Sequence, residues 1–379
     1  MLSDQGMIKS TAAYADSKPH FLILDALRGI AAIMVVMMHG FEIYCGGDYH
    51  RMYINHGYLA VDFFFMLSGY VMAHAYDDRW DRMTVRDFFK RRLIRLHPLI
   101  IVGTVLGATL FPLQASSFFP KVADATLMQV LLIMFIGFTL IPVPPSMDIR
   151  GWNEMFPLNG PSWSLFLEYV ANILHALVLR RLSKAMLTVL VILAGAALAH
   201  HAIAGKSGDI IGGWSLEPEQ LRLGFTRLLF PYMAGMLLRR AMPVKGGRGG
   251  FLTASGILVA VLACPRIGGY DELWMNGLYE SAVILLVFPL VIRLGAGGEL
   301  RGAWAKRASV FLGDISYPLY ITHFPVISVY YAWVDNNDIP LATGTWVLVL
   351  AALLCTLMAY GWLKWYDEPV RKWLARRHM

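Results

Sequence analysis

The first long apolar run of the chain, residues 21–41, restricts the fold more than any other stretch. About twenty helical residues, at 1.5 Å each, span the hydrocarbon core of a bilayer. The run also contains Asp25, Arg28 and His39, although an ionisable side chain costs a few kcal/mol in a membrane. Asp25 and Arg28 are spaced i, i+3, which allows a purely structural pair. His39 has no such explanation and is a functional candidate.

The composition predicts an integral membrane protein in contact with a lipid bilayer. Only 16% of the 379 residues are charged and 57% are hydrophobic, whereas a soluble domain carries about a quarter charged residues. The net charge of +7 comes from basic clusters in short loops, as the positive-inside rule expects, so we expect no nucleic-acid partner. The three cysteines are far apart, and we expect neither a disulfide framework nor a metal site.

The chain predicts an all-α polytopic membrane protein of about ten transmembrane helices plus one re-entrant or interfacial segment. Loops rich in arginine and lysine between the apolar runs mark the cytoplasmic side and place both termini there. The apolar runs are 21–41, 57–76, 93–113, 126–145, 162–179, 186–204, 223–239, 249–265, 277–294, 309–331 and 345–364.

One of two apolar runs, 93–113 and 126–145, is expected not to cross the membrane. The charge pattern requires an odd number of crossings in this part of the chain. The stretch Ile141–Pro145 contains three prolines, and proline breaks a helix, so 126–145 is the preferred candidate.

The chain divides into three expected parts. Residues 1–20 are polar and lack a signal-peptide pattern, so we expect a cytoplasmic segment. Residues 21–366 form the membrane domain, and residues 367–379 form a basic cytoplasmic tail. We expect no appended soluble domain, so the chemistry belongs inside the membrane domain or at its mouths.

Two polar clusters in the first half of the chain need explanation. Asp62 lies near the start of the second apolar run, where it could cap a helix, and Ser68 with Gly69 suits close helix packing. Arg92 and Arg95 share one helical face, which either anchors the helix at the cytoplasmic surface or binds a phosphate-rich ligand.

Glu168 lies about two turns inside the apolar run 162–179, which has Trp163 and Ser164 near its start. A carboxylate at that depth needs a partner, and an imidazole is a natural one. The predicted topology puts Glu168 and His39 in the same half of the membrane, so we expect them to pair. Trp163 also fits an interfacial aromatic belt.

A second intramembrane histidine, His323, follows a short aromatic motif. Tyr317 and Tyr320 precede it on one helical face, with a proline between them. The pattern fits a buried, satisfied histidine and a catalytic one equally well.

Together these residues resemble the acyltransferase 3 family of integral membrane O-acyltransferases, in the form without an extracellular hydrolase-like domain. The motifs follow the order of the family along the whole chain, except that His97 stands where the family often has tyrosine. They are Leu24–Ile30, Arg28 with His39, Val61–Gly69, Arg92 with Arg95, Pro161–Glu168, and Ser316–Tyr320 with His323.

The resemblance implies transfer of an acyl group, usually acetyl from acetyl-CoA as co-substrate, to a hydroxyl of a cell-surface or exported glycan or lipid-linked acceptor. It implies a bacterial cytoplasmic (inner) membrane location, with His39 catalytic, Glu168 supporting it, and Arg28 needed for activity. Arg92 and Arg95, with Arg28, would bind coenzyme A. Substrate-binding candidates are Asp62, Ser68, Trp163, Ser164, Tyr317 and His323.

The proposed chemistry leaves His39 two roles. A neutral imidazole can take the proton of an acceptor hydroxyl near pH 7, or His39 can carry the acyl group itself. Two other functions remain open: transfer of another group, such as succinyl, or transfer to a small secondary metabolite. A proton-coupled transporter with a relay through Glu168 and His39 is the alternative from a different class.

Overall fold

The structure is a computed structural model that describes residues 21–242, 250–300 and 302–378. Those residues form eleven helices and no strand, which confirms the all-α prediction. The helices are α1 (Leu22–Glu42), α2 (Ala60–Tyr76), α3 (Val85–Leu110), α4 (Leu127–Phe138), α5 (Ser162–Leu177), α6 (Lys184–Ala204), α7 (Pro218–Ala241), α8 (Gly250–Ala263), α9 (Leu273–Gly297), α10 (Ala303–Asn336) and α11 (Leu341–His378).

Six of the described helices are long and apolar enough to cross a membrane: α1, α2, α3, α6, α9 and α11. The protein is therefore a polytopic membrane protein. Helix α4 has 12 residues and is about 18 Å long at 1.5 Å per residue, which is too short for a hydrocarbon core of about 30 Å. Its length agrees with the expectation that 126–145 does not cross. The total of ten crossings stays a prediction.

Two helix contacts are close because glycine replaces a side chain at each crossing. On α2, a Cβ at Gly69 would strike the carbonyl of Tyr232 on α7, and a Cβ at Gly235 would strike the carbonyl of Met66. On α1, a Cβ at Gly29 would strike the backbone of α10. The expected packing role of Gly69 is thus observed, and it brings the backbones of α2 and α7 together.

Two helices extend beyond the apolar runs that predicted them. Helix α3 begins at Val85, where Thr84 and Asp87 form a capping box, so the basic residues before 93 are helical. Helix α11 continues to His378 through a π-helical turn at Leu363–Asp367. The boundary expected at residue 366 therefore lies inside a helix.

Candidate active site

A cavity of about 330 Å³, the arginine cavity, is lined by Arg28, Arg92 and Arg95. Arg28 lies in the N-terminal half of α1, and the other two lie on α3 before Pro98. The end of α11 adds Arg371 and Lys372. The structure therefore brings together the three arginines that the sequence assigned to coenzyme A.

Most cations of the arginine cavity have a carboxylate partner. Arg92 Nη2 lies 2.7 Å from Glu168 Oε1, and Ser68 donates a hydrogen bond of 2.7 Å to the same oxygen. Arg28 Nη2 lies 3.2 Å from Asp25. Arg95 is exposed into the cavity and forms no ion pair with the described residues, so it is available to an anionic ligand.

A second cavity of about 90 Å³, the histidine cavity, is lined by His39, Glu42 and Glu154. His39 and Glu42 belong to the last turn of α1, and Glu154 comes from the loop between α4 and α5. Aromatic side chains complete its wall, among them Trp152, Trp163, Trp214, Tyr320 and Phe324. The two cavities lie at opposite ends of α1.

The imidazole of His39 is held by Glu42. Its Nδ1 lies 2.9 Å from Glu42 Oε2, and a carboxylate oxygen accepts, so Nδ1 carries the proton in the neutral ring. Nε2 makes no hydrogen bond with the described residues and keeps its lone pair. Tyr331 Oη lies 3.0 Å from Glu42 Oε2 and also bonds the carbonyl of His39. This is the arrangement of a general base with an orienting carboxylate.

His323 lies beside His39, fully buried, with the two ring centroids 5.6 Å apart. Its Nδ1 lies 3.1 Å and 2.9 Å from the carbonyls of Leu319 and Tyr320. Carbonyls only accept, so Nδ1 is the donor, and Nε2 has no partner among the described residues. His323 is therefore buried as the first reading expects but only half satisfied, and its ring forms part of the surroundings of His39.

Asp62 forms a buried ion pair with Arg227 of α7. Arg227 Nη2 lies 2.7 Å from Asp62 Oδ2, and the guanidinium also donates to the carbonyls of Gly212 and Tyr58 at 2.9 Å each. Trp163 stacks on it, 5.2 Å from ring centroid to guanidinium carbon. Asp62 therefore binds a cation and does not cap the start of α2, where no side-chain cap is formed.

The loop from residue 139 to 161 places Glu154 in the histidine cavity. Asp148 accepts hydrogen bonds from the backbone N–H groups of Arg150, Gly151 and Asn153 at 2.8–3.0 Å, which fixes the turn before Glu154. Glu154 Oε2 lies 3.6 Å from Arg150 Nε. Burial raises the pKa of the Glu154 carboxyl to about 7, although the positive charge of Arg150 opposes the rise.

The predicted pair of His39 and Glu168 is wrong. Glu168 bonds Arg92 and Ser68 in the arginine cavity, and Glu42 occupies the place beside His39. The expectation failed because Glu168 lies in the cavity at the N-terminal end of α1, whereas His39 lies in the cavity at its C-terminal end.

Other predicted residues divide between the two cavities. Arg28, Ser68, Ser164 and Tyr317 line the arginine cavity, and Trp163 lines the histidine cavity. Tyr317 donates a hydrogen bond of 2.5 Å to the carbonyl of Leu96. Trp163 is buried against Arg227 and is not part of an interfacial belt.

Sequence reasoning missed Glu42, Glu154, Arg227 and Tyr331. Two of them carried a usable signal. Glu42 lies three residues after His39, which puts both on one helical face, and Arg227 is an arginine inside an apolar run. Among the described residues, no group of three or more histidines, cysteines and acidic residues could hold a metal ion.

Comparison with known proteins shows the family. The model of the acyltransferase 3 family, described as an acyltransferase domain, matches residues 21–363. The chain therefore belongs to the acyltransferase 3 family. The matched residues contain both cavities except for the side chains that α11 contributes after Leu363.

Two relatives are bacterial proteins. The chain is 23% identical over 365 residues to O-acetyltransferase OatA of Staphylococcus aureus, which covers 92% of this chain and 57% of OatA. It is 34% identical over 163 residues to Protein 2 in picA locus of Rhizobium radiobacter, covering 41% of this chain and 81% of that protein. The chain thus spans little more than half the length of OatA. No solved structure matches it.

Proposed function

We propose that the protein is a membrane-embedded O-acyltransferase. It moves an acyl group, acetyl in the simplest case, from cytoplasmic acyl-CoA in the arginine cavity to a hydroxyl of a cell-surface or exported glycan in the histidine cavity. The observation that carries this proposal is the His39–Glu42 pair, an oriented imidazole in a cavity that adjoins a second cavity lined by arginines.

We assign binding of the acyl donor to the arginine cavity, which is the donor end of the site. Coenzyme A carries phosphates, and guanidinium groups bind phosphate oxygens in charge-assisted hydrogen bonds. Arg95 is free for such a bond, while Arg92 is held in place by Glu168. Under the predicted topology the mouth of this cavity faces the cytoplasm, where acyl-CoA is made and where both termini of the chain would lie.

We assign binding of the acceptor to the histidine cavity, which is the acceptor end of the site. Trp152 and Trp214 line it, both partly exposed, and offer apolar ring faces of the kind that stack on sugar rings. The free Nε2 of His39 can accept the proton of an acceptor hydroxyl, and the carboxylate of Glu42 then stabilises the imidazolium that forms. Tyr331 shares its one hydroxyl proton between that carboxylate and the carbonyl of His39.

Two routes satisfy the balance of atoms. In the first, His39 takes the hydroxyl proton, the new C–O bond forms at the thioester carbonyl, the C–S bond breaks, and the thiolate leaves and is protonated. In the second, His39 Nε2 attacks the thioester carbonyl, the C–S bond breaks and the coenzyme A thiolate leaves. The acceptor hydroxyl then attacks the acyl group, the C–N bond breaks, and Nε2 takes the hydroxyl proton and passes it to the thiolate or to water. Sequential kinetics would mark the first route and ping-pong kinetics the second.

The alternative of a proton-coupled transporter depends on a proton relay between Glu168 and His39, and the geometry does not favour that relay. Glu168 and His39 line different cavities and bond different partners. A direct proton transfer between them would need both side chains to leave those bonds.

Turnover of acetyl-CoA by purified protein in nanodiscs tests the proposal. The readouts are release of free coenzyme A and acetylation of an added crude glycan extract. We expect turnover by the wild type and its loss in His39→Ala. His200→Ala is the matched control, because His200 is exposed on α6 and lines neither cavity.

Two outcomes would count against parts of the proposal, and a third would show that the substitutions unfold the protein. Turnover that survives His39→Ala would remove His39 as the catalytic residue. An equal loss in His200→Ala would point to a general loss of folded protein. No turnover together with no binding of coenzyme A would overturn the acyltransferase function and favour transport.

A further inference from the structure

The arginine cavity and the histidine cavity share two lining residues, Val61 of α2 and Tyr320 of α10. Both side chains are buried, with 7% and 6% of their surface exposed. A side chain that lines two cavities separates them by its own thickness. The barrier between the donor end and the acceptor end is therefore one layer of side chains thick at this point.

Tyr320 is held in this barrier by α5. Its Oη lies 2.7 Å from Ser164 Oγ, and Ser164 Oγ donates a hydrogen bond of 3.0 Å to the carbonyl of Pro161. The Ser164 proton is thereby used, so Tyr320 is the donor in its bond to Ser164. The ring of Phe64 packs edge-on against Tyr320 at 5.4 Å between centroids. Val61, in contrast, has only its methyl groups to define the opening.

We propose that Val61 and Tyr320 form the passage between the two cavities and that Val61 limits the length of the acyl group that reaches His39. This inference rests on the proposed function and adds to it the residue that selects the donor by the length of its acyl group. Each methyl group of Val61 occupies room that a longer acyl chain would need.

The test compares acetyl-CoA, propionyl-CoA and butyryl-CoA as donors, with release of coenzyme A as the readout. One methylene group too many for a pocket lowers kcat/KM for that substrate by about 10-fold to 200-fold relative to the substrate that fits. We expect wild-type protein to use butyryl-CoA at least about 10-fold more slowly than acetyl-CoA. Val61→Ala should bring the two rates within about threefold, since it removes two methyl groups from the passage.

A matched control uses the same substitution on the same helix. Val71 of α2 lines the arginine cavity but not the histidine cavity, so Val71→Ala should keep the wild-type ratio of butyryl to acetyl rates, whatever its overall rate. Val61→Ile enlarges the side chain and should lower the propionyl rate more than the acetyl rate. Because it removes no atoms from the core, it keeps the test valid if Val61→Ala folds poorly in a thermal melt.

The outcomes separate this inference from the proposed function. Acetyl-CoA turnover with the same chain-length profile in Val61→Ala, Val61→Ile and wild type would overturn the passage and leave the acyltransferase intact. An equal change of profile in Val71→Ala would also overturn it, because the selection would then lie in the arginine cavity. No turnover of any acyl-CoA by the wild type would overturn the proposed function, and this inference with it.

Discussion

Replacing Glu42 by glutamine is the sharpest perturbation of the candidate active site. The substitution keeps the shape of the side chain and its oxygen near His39 Nδ1 but removes the negative charge. The substitution removes little electrostatic stabilisation from a neutral imidazole, whereas an imidazolium formed during the reaction loses its counter-ion. The effect should therefore appear in kcat more than in KM.

The distance between the imidazolium of His39 and the carboxylate of Glu42 determines how far kcat should fall. Two unit charges 2.9 Å apart attract each other by about 1.4 kcal/mol in water and by about 6 kcal/mol at an effective dielectric constant of about 20. The pair is partly buried, with 21% and 12% of the two side chains exposed, so the value lies between these limits. At ~1.36 kcal/mol per tenfold, we expect kcat to fall by about 10²-fold to about 10⁴-fold.

Glu168→Gln is the matched comparison, because the same change is made to the carboxylate of the other cavity. Glu168 bonds Arg92, so its loss should act on the KM for acyl-CoA. The assay is steady-state release of coenzyme A in nanodiscs over a range of acetyl-CoA concentrations. A large fall in kcat with Glu168→Gln and a small one with Glu42→Gln would refute the assignment of Glu42 as the residue that orients His39.

Two further predictions concern buried charges outside the His39–Glu42 pair. Arg227→Met should lower the apparent melting temperature strongly, because it leaves Asp62 as an unpaired buried carboxylate at a cost of about 3–5 kcal/mol. The double variant Asp62→Asn/Arg227→Met should recover much of the lost stability. A double variant no more stable than Arg227→Met would contradict the pairing. Burial raises the pKa of the Glu154 carboxyl to about 7 from 4.5, so the folded state binds the Glu154 proton more tightly than the unfolded state does. This proton binding stabilises the folded state fully at a pH below 4.5, and the stabilisation is lost as the pH rises through about 7. The melting temperature of the wild type should accordingly fall between about pH 5 and about pH 8 more than that of Glu154→Gln, while exposed Glu219→Gln should follow the wild type.

Sequence periodicity predicted the helices well because lipid makes a long apolar run nearly unambiguous. The start of α1, the short α4 and the two arginines of α3 on one cavity wall all follow from the order of residues along single helices. Boundaries failed where polar residues continued a helix, as in the last turns of α11. Hydropathy marks where a helix leaves the hydrocarbon and does not mark where it ends.

Partners between helices could not be predicted in the same way. The bond from Arg227 to Asp62 joins residues 165 positions apart, and that from Tyr331 to Glu42 joins residues 289 positions apart. Each depends on the rotation of two helices about their axes, and an almost uniformly apolar helix carries little information about that rotation. Glu168 was assigned to His39 from a shared depth in the membrane, yet the two residues line cavities at opposite ends of α1. The local i, i+3 rule would have found Glu42 instead.

The spacing between Arg28 and His39 has a geometrical meaning in this structure. Eleven residues make about three helical turns, so both side chains leave α1 on nearly the same face, about 16 Å apart along its axis. Each lines a different cavity, and Val61 and Tyr320 stand between those cavities. That distance is about half of the ~30 Å hydrocarbon core. Because α1 is one unbroken helix, it fixes the separation of the two ends, and only the barrier at Val61 and Tyr320 has to be passed for an acyl group to travel from one to the other.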